Sequence, residues 1–504
     1  MSNPLGIDLG TTYSAVAVVD SSGRAEVLRN SDGKSTTPSV VLFDHGEAIV
    51  GEQAKNQRVA LHEDVVEFAK RQMGEESWKF YPTEGEPYTA EGISAIILKR
   101  LTDDAANVLG EPVTQVVITV PAYFNDAQRN ATKDAGEIAG LEVLSVINEP
   151  TAAAASFGVE NDFNGTVLVY DLGGGTFDVT LMEAKDGEFD IVRTDGDRNL
   201  GGFDFDNEII KWIKDEFESE TGHVIDDPQG EAELRDRAEQ AKHRLSQSDN
   251  APIFVSAGGA SAKLVLTKQK FEEITESLVS RTEYLVDDVV EDAGFSYGDI
   301  DKILLVGGST RMPMIPVMLN RLTGQVPDQS IHPDEAVCKG AAIIAAVRSG
   351  SAVGPMPTTP TGAAIDISDV ISHGLGIVAN DDYGQPENSI VIPANSKIPS
   401  KVSQTFYTSR PNQDALEIQV TEGNEADLKY VKILGSSSLE LTPHAESSPV
   451  DITFSCDIDG ILHIEVLDLV DNVHLGEFEI DRVQNLDQED IDRMRDAVDN
   501  LDVQ

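Results

Sequence analysis

An α/β fold of two lobes, followed by an all-β domain and a short terminal helix, is predicted by three features of the 504-residue sequence. Strand-like and helical patterns alternate from residue 5 to about 348. The turn Asp-Leu-Gly occurs twice, at Asp8-Leu9-Gly10 and at Asp171-Leu172-Gly173, each time after an apolar strand and before an alternating one. From residue 374 the helical period disappears and short alternating segments replace it.

Taken in order, apolar alternation at 5–19, ITV at 118–120, VLVYDL at 167–172 and ILLVGG at 303–308 read as strands. Amphipathic stretches at 126–140, 204–218, 231–246 and 271–293 read as helices between them. A first domain therefore spans 1–348. Residues 349–363, SGSAVGPMPTTPTGA, are rich in Gly, Pro, Thr and Ser and open a linker over 349–373. The alternating segments at 400–409, 415–423, 449–460 and 461–469 place a β-sandwich over 374–484. A helix follows in 485–504, with Asn485 or Asp487 as its N-cap and Glu489 and Asp490 in its first turn.

Composition narrows the function. With 40% hydrophobic and 25% charged residues the chain is a soluble globular protein. Its 38 Lys+Arg against 88 Asp+Glu give a formal net charge of −50, which repels phosphate backbones and anionic lipid and excludes general nucleic-acid or membrane partners. Cys338 and Cys456 form no disulfide framework and no zinc spacing, so a reducing cytoplasmic location is expected. The first residues lack a basic and an apolar targeting region, and the longest apolar run, 340–347, is far below membrane-spanning length. The acid excess fits a high-salt cytosol or simply a very soluble protein.

A strand-turn-strand with glycine at the bend lets backbone N–H groups approach a phosphate closely, while Thr hydroxyls add donors. Each copy alone is also compatible with an ordinary hairpin. A third glycine turn, Gly307-Gly308-Ser309-Thr310-Arg311, admits a nucleotide against its backbone and offers a guanidinium plane for a purine, or is a plain strand-to-helix loop. Glu239, Lys242 and Ser246 share one helix face.

These turns, with VPAYFNDAQRNATKDAGEIAGLEV at 120–143, NEPTAAA at 148–154, DLGGGTFDVT at 171–180, GGSTR at 307–311 and HPDEAV at 332–337, resemble the DnaK-type, seventy-kilodalton heat-shock chaperones. The resemblance is close to about 348 and looser over 374–500. It implies an actin-like ATPase whose two lobes close over Mg²⁺ and ATP/ADP, with K⁺ as a further ion, and a sandwich that binds unfolded or extended polypeptide. It also implies a J-domain co-chaperone and a nucleotide exchange factor as partners. Carried over by position, Gly10, Thr11, Thr12 and Tyr13 cradle phosphates from one lobe and Gly173, Gly174, Gly175 and Thr176 from the other, with Asp178 on the γ-phosphate side. Asp8, Glu149 and Asp171 order water around magnesium, and Lys70 is the catalytic lysine. Gly201 and Gly202 contact phosphate. Glu239, Lys242, His243 and Ser246 hold ribose and adenine together with Gly307, Gly308, Ser309, Arg311 and Asp334. Pro121, Tyr123, Asp126, Arg129 and Glu149 form the relay to the sandwich, where Leu416 lines the peptide pocket with Ile398, Phe406 and Ile418.

Four departures from the family pattern bear on coupling. The segment from Met73 to Ala95 is short; Ser145 stands where the family has a basic J-domain contact; polar residues interrupt the linker over 364–370; and the loop at 379–388 and Ser409 are polar where the family arches apolar groups over peptide. The family's helical lid has no counterpart in the sequence, so fast peptide exchange is expected. The alternative reading is a non-catalytic or weakly catalytic nucleotide-gated co-chaperone or binding module; a metabolite kinase would share the turns but has no use for the sandwich.

Overall fold

The computed structural model describes all residues except 1–2, 162, 329, 350–356, 359–363, 382, 459, 480–485 and 487. Two sheets repeat one plan. In the first, Leu5–Asp8, Tyr13–Val19 and Ala25–Leu28 run antiparallel in succession, and Leu5–Asp8 pairs in parallel with Gln115–Val120. In the second, Gly165–Leu172, Phe177–Lys185 and Glu188–Asp197 do the same, and Gly165–Leu172 pairs in parallel with Lys302–Val306. The duplicated glycine turns are therefore the first bends of two equivalent sheets. Central strands buried on both faces account for the continuous apolar runs in the sequence.

Between the sheets, helix Glu149–Asn161 crosses helix Ala336–Ser349. Their alanine-rich faces let the backbones meet: a Cβ on Gly340 would sit 1.8 Å from the carbonyl oxygen of Ala152. Alanine favours a helix interior by about 1 kcal/mol over glycine, but overpacking costs about 1–3 kcal/mol. Gly340→Ala is accordingly expected to destabilise the protein by a net 1 kcal/mol or so, read as a lower denaturant midpoint; a raised midpoint would mean the crossing is loose.

The stretch 271–293 is not one helix. Lys268–Ile274 and Glu276–Asp292 are separated at the fully buried Thr275, whose φ of −109° leaves the helical range while its hydroxyl donates to the carbonyl of Phe271 at 2.7 Å.

Beyond the linker, two four-stranded sheets form the sandwich, around a core that includes Ile377, Ile418, Val420, Phe454 and Ile464. The linker does not hang free. Asp366–Val370 adds in parallel to Glu188–Asp197, and Asp369 and Val370 pair on their other side with Ile398 and Lys397. The polar residues that break its apolar run are hydrogen-bonded: Asp369 accepts from Asn148 Nδ2 at 2.5 Å, and Ser368 donates to Asp190 at 2.6 Å. Docking here rests on main-chain pairing as well as on the burial of Ile365 and Val370.

The helix at the C-terminal end, Gln488–Asp499, lies on the first lobe, against helices Ala90–Leu109 and Asp126–Ile138. Ile491 and Val498 are 0% and 1% exposed in that lobe's core. Arg495 Nε donates to the carbonyl of Glu137, and Asp502–Val503 pairs in parallel with Glu47–Val50. The proposed N-caps, Asn485 and Asp487, lie outside the described residues, as does most of 349–363.

Candidate functional site

The two first bends face each other across a cavity of about 500 Å³. Their approach leaves no room for side chains. A Cβ on Gly174 would lie 2.3 Å from Thr12 Oγ1, one on Gly175 2.6 Å from Thr11 Cγ2, and one on Gly10 2.0 Å from the carbonyl of Tyr13. Ser309 Oγ donates to the carbonyl of Gly173 at 2.8 Å and ties the third turn to the second. Gly307 takes φ 81°, a conformation glycine adopts without strain, with the Leu172 carbonyl 2.4 Å from where its Cβ would be. Gly10, Thr11, Thr12, Tyr13, Gly173, Gly174, Thr176, Gly202, Gly307, Gly308 and Ser309 all line the cavity. Gly175 and Gly201 do not: they pack behind the wall, a Cβ on Gly201 falling 2.5 Å from the backbone nitrogen of Gly175.

At the floor are Asp8, Glu149 and Asp171, with Asp178 beside them. Lys70, buried in the turn of 3₁₀ helix Ala69–Gln72, ion-pairs with Glu149 at 2.5 Å. One ammonium does not balance four carboxyls. Burial and the neighbouring Glu149 push Asp8 up to about 7 and Asp178 up to about 8, and the same two causes hold Asp171 well above the ordinary carboxylate range. A site of hard oxygen donors with surplus negative charge fits a divalent cation such as Mg²⁺ held through water.

The opposite wall comes from helix Pro228–Leu245, started by Asp227, whose side chain accepts from Gly230 N, and by Pro228 at its first position. It brings Glu239, Lys242, His243 and Ser246 to the cavity, facing Arg311 and Asp334, which ion-pair at 2.5 Å. Lys242 Nζ donates to Asp206 at 2.7 Å and to the Gly202 carbonyl. Glu239 accepts from Lys55 and Arg58 of the first lobe, each at 2.6 Å. Burial alone would raise Glu239, yet the two cations hold it down at about 2. Lys55, Arg58 and Asp206 escaped sequence reasoning. No spacing marks them, although a cation in so acidic a chain is itself a weak signal.

From the floor a connected path leads to the sandwich. Tyr123 N donates to Asp178 at 3.0 Å, and its ring packs on His373, tilted by 54°, with centroids 4.1 Å apart. Arg129 bonds Asn148, Ser372 bonds the carbonyl of Ala122, and Asp126 accepts from the backbone of Leu462. Burial, with Asp126 adding repulsion, lifts Glu422 of the sandwich to about 7; burial lifts Asp126 to about 6 against the pull of Arg129. A carboxyl raised on docking resists docking only when ionised. Burial pushes His373 down to about 3, so its protonation opposes docking at acid pH, but two raised carboxyls outweigh one imidazole between about pH 5 and 7, and docking is expected to loosen as pH rises through that range. Energy transfer between dyes on the first lobe and the sandwich, recorded across this range, should fall with pH, and Glu422→Gln should flatten the curve; a flat parental curve would contradict it.

In the sandwich, Leu416 and Phe406 are partly buried at its core and Ile418 is fully buried within it. Ile398 is buried in the same core cluster, towards the linker side of the sandwich. It pairs with Asp369 of the linker and borders Phe124 and Asp126 of the first lobe, beside Glu422. Glu422 ends the strand Ala415–Glu422 that Leu416 begins, and six residues of strand separate their positions by about 20 Å. Ser145 also differs from expectation: it is buried and bonded by Arg348, so a guanidinium from another helix reaches the place where the family pattern has its own cation.

Two lobes of duplicated plan thus meet at a glycine-lined acidic cleft, and a β-sandwich docks against them. The chain belongs to the Hsp70 family: the family described as Hsp70 protein matches residues 4–504. It is similar to the "Chaperone protein dnaK" of Emiliania huxleyi, 40% identical over 525 residues that cover 98% of this chain and 82% of that one. Among the described residues no helix is long and apolar enough to cross a membrane.

Proposed function

We propose that this chaperone-family chain hydrolyses ATP slowly to ADP and phosphate and binds extended apolar polypeptide in its sandwich under control of that cycle. The observation that carries the reading is the contact of the two glycine turns around one cavity with Lys70 at its floor. Backbone N–H groups and hydroxyls of Thr11, Thr12 and Thr176 orient the phosphates, and Lys70 offsets charge developing on the γ-phosphoryl group. Asp8, Glu149 and Asp171 would hold Mg²⁺ through water, and the ion supplies neutralisation of phosphate charge. Tyr123, joined to both Asp178 and His373, carries the state of the cleft to the sandwich. The buried free thiols of Cys338 and Cys456 support a reducing compartment such as the cytosol.

The test is ATP turnover by the purified chain with and without an unfolded polypeptide. ADP formation above a heat-killed control, raised by polypeptide, supports the reading; binding without ADP formation would favour the nucleotide-gated module. For the sandwich, Leu416→Asp is expected to weaken binding of an apolar peptide at least tenfold, a loss of about 1.4 kcal/mol. Unchanged fluorescence anisotropy would leave that pocket without its role.

A further inference from the structure

We propose that a second anion site lies between the lobes and the sandwich, takes the inorganic phosphate leaving the cleft, and is completed by Lys432 of the sandwich. It rests on the ATPase reading above and adds the product's way out.

A cavity of about 280 Å³ opens behind the nucleotide cleft. Its inner end is formed by Thr11, Lys70 and Thr176, which also line the cleft. Its outer wall holds Arg71, Arg198 and Lys432. Four cations around one void is a local reversal of sign in a chain with 38 basic and 88 acidic residues; Glu75 is the acid in that wall. Arg71 is paired with Asp204 at 3.3 Å. Arg198 donates to the neutral Gln128, and among the described residues neither Arg198 nor Lys432 has a carboxylate within 4.0 Å. Glu422, the cross-strand neighbour of Lys432, is pushed towards its neutral form by burial and does not fully cancel this charge.

Direction follows from the two walls of the cleft. Lys70 and Thr176, which the reading above places at the γ-phosphate, border both cavities, while the Glu239 wall is crossed by its bridge to Lys55 and Arg58. The cationic cavity is the opening on the phosphate side, with room for the ion and several waters at about 30 Å³ each. Because Lys432 belongs to the strand Lys432–Glu440, phosphate occupancy and sandwich docking favour one another reciprocally.

The test uses the full chain in calorimetric titrations at fixed ionic strength. ADP with Mg²⁺ is titrated first, then inorganic phosphate into the ADP-loaded and the nucleotide-free protein. Lys432→Gln and Arg198→Gln are each expected to weaken phosphate about tenfold, with ADP affinity retained and Lys432→Arg close to parental. Phosphate bound as tightly by both Gln variants as by the parent, or no saturable phosphate heat in either form, overturns the site. Absence of ADP binding would instead sink the ATPase reading, while the nucleotide-free arm still reports on the cavity.

Discussion

Lys70→Ala is expected to lower the single-turnover rate of ATP hydrolysis by about 10²–10³-fold, the usual loss when one preorganised donor to developing charge is removed. The expectation follows from electrostatics at the floor of the cleft. Asp8, Asp171, Asp178 and Glu149 crowd together, and Lys70 is the cation that ion-pairs there, to Glu149 at 2.5 Å. Its ammonium also lies 5.7 Å from the centroid of the Phe124 ring, which fixes the stem without offering a competing anion. Loss of Lys70 leaves Glu149 buried without its partner, at a cost of about 3–5 kcal/mol if the carboxylate stays charged. That cost lies within the roughly 5–15 kcal/mol that holds a protein folded, so the variant should fold and bind ATP. Quenched-flow turnover is therefore read beside nucleotide affinity and melting temperature. A parental rate in a folded, ATP-bound Lys70→Ala protein would remove the lysine from the chemistry.

What the sequence could disclose depended on how local each feature was. The bends at Gly10 and Gly173 are written in adjacent residues, because glycine, aspartate and threonine on one tight turn serve the same few atoms. The apolar runs of 167–172 and 303–308 were likewise legible, since a strand covered on both faces must be apolar throughout. Lys70 carries no local mark and came only through family resemblance. Lys55 and Arg58 meet Glu239 across some 180 residues, a contact set by lobe closure. The linker's approach to Ile398 was beyond reach because alternation fixes a face of a strand but not what lies opposite it. The break at Thr275 is a local backbone departure that leaves the apolar period running through it, so periodicity does not show it. The docking of the terminal helix was beyond reach for a similar reason: an amphipathic pattern shows that one face is covered and is silent about the cover.

That cover supplies the second large effect. Ile491→Asp is expected to destabilise the first lobe by at least about 3 kcal/mol, because it removes a buried isoleucine and puts a carboxylate among Ile, Leu and Ala side chains. At roughly 2–4 °C per kcal/mol for a unit of this size, the melting temperature should fall by roughly 6–12 °C. Hydrogen bonds alone would not hold the segment: Arg495 to Glu137 and the pairing of Asp502 and Val503 with Glu47 and Ala48 are worth about 1 kcal/mol each. The apolar contacts of Ile491 and Val498 therefore decide its position. The sandwich also meets the first lobe directly, through Ser372 to Ala122 and Leu462 to Asp126, so the helix is one of several tethers and dyes on the sandwich and first lobe should separate only in part in the variant. A helix that covered the peptide groove instead would behave in the opposite way. Ile491→Asp would then leave the melting temperature alone and speed peptide release, and that pair of results would overturn the packing of Ile491 in the first lobe.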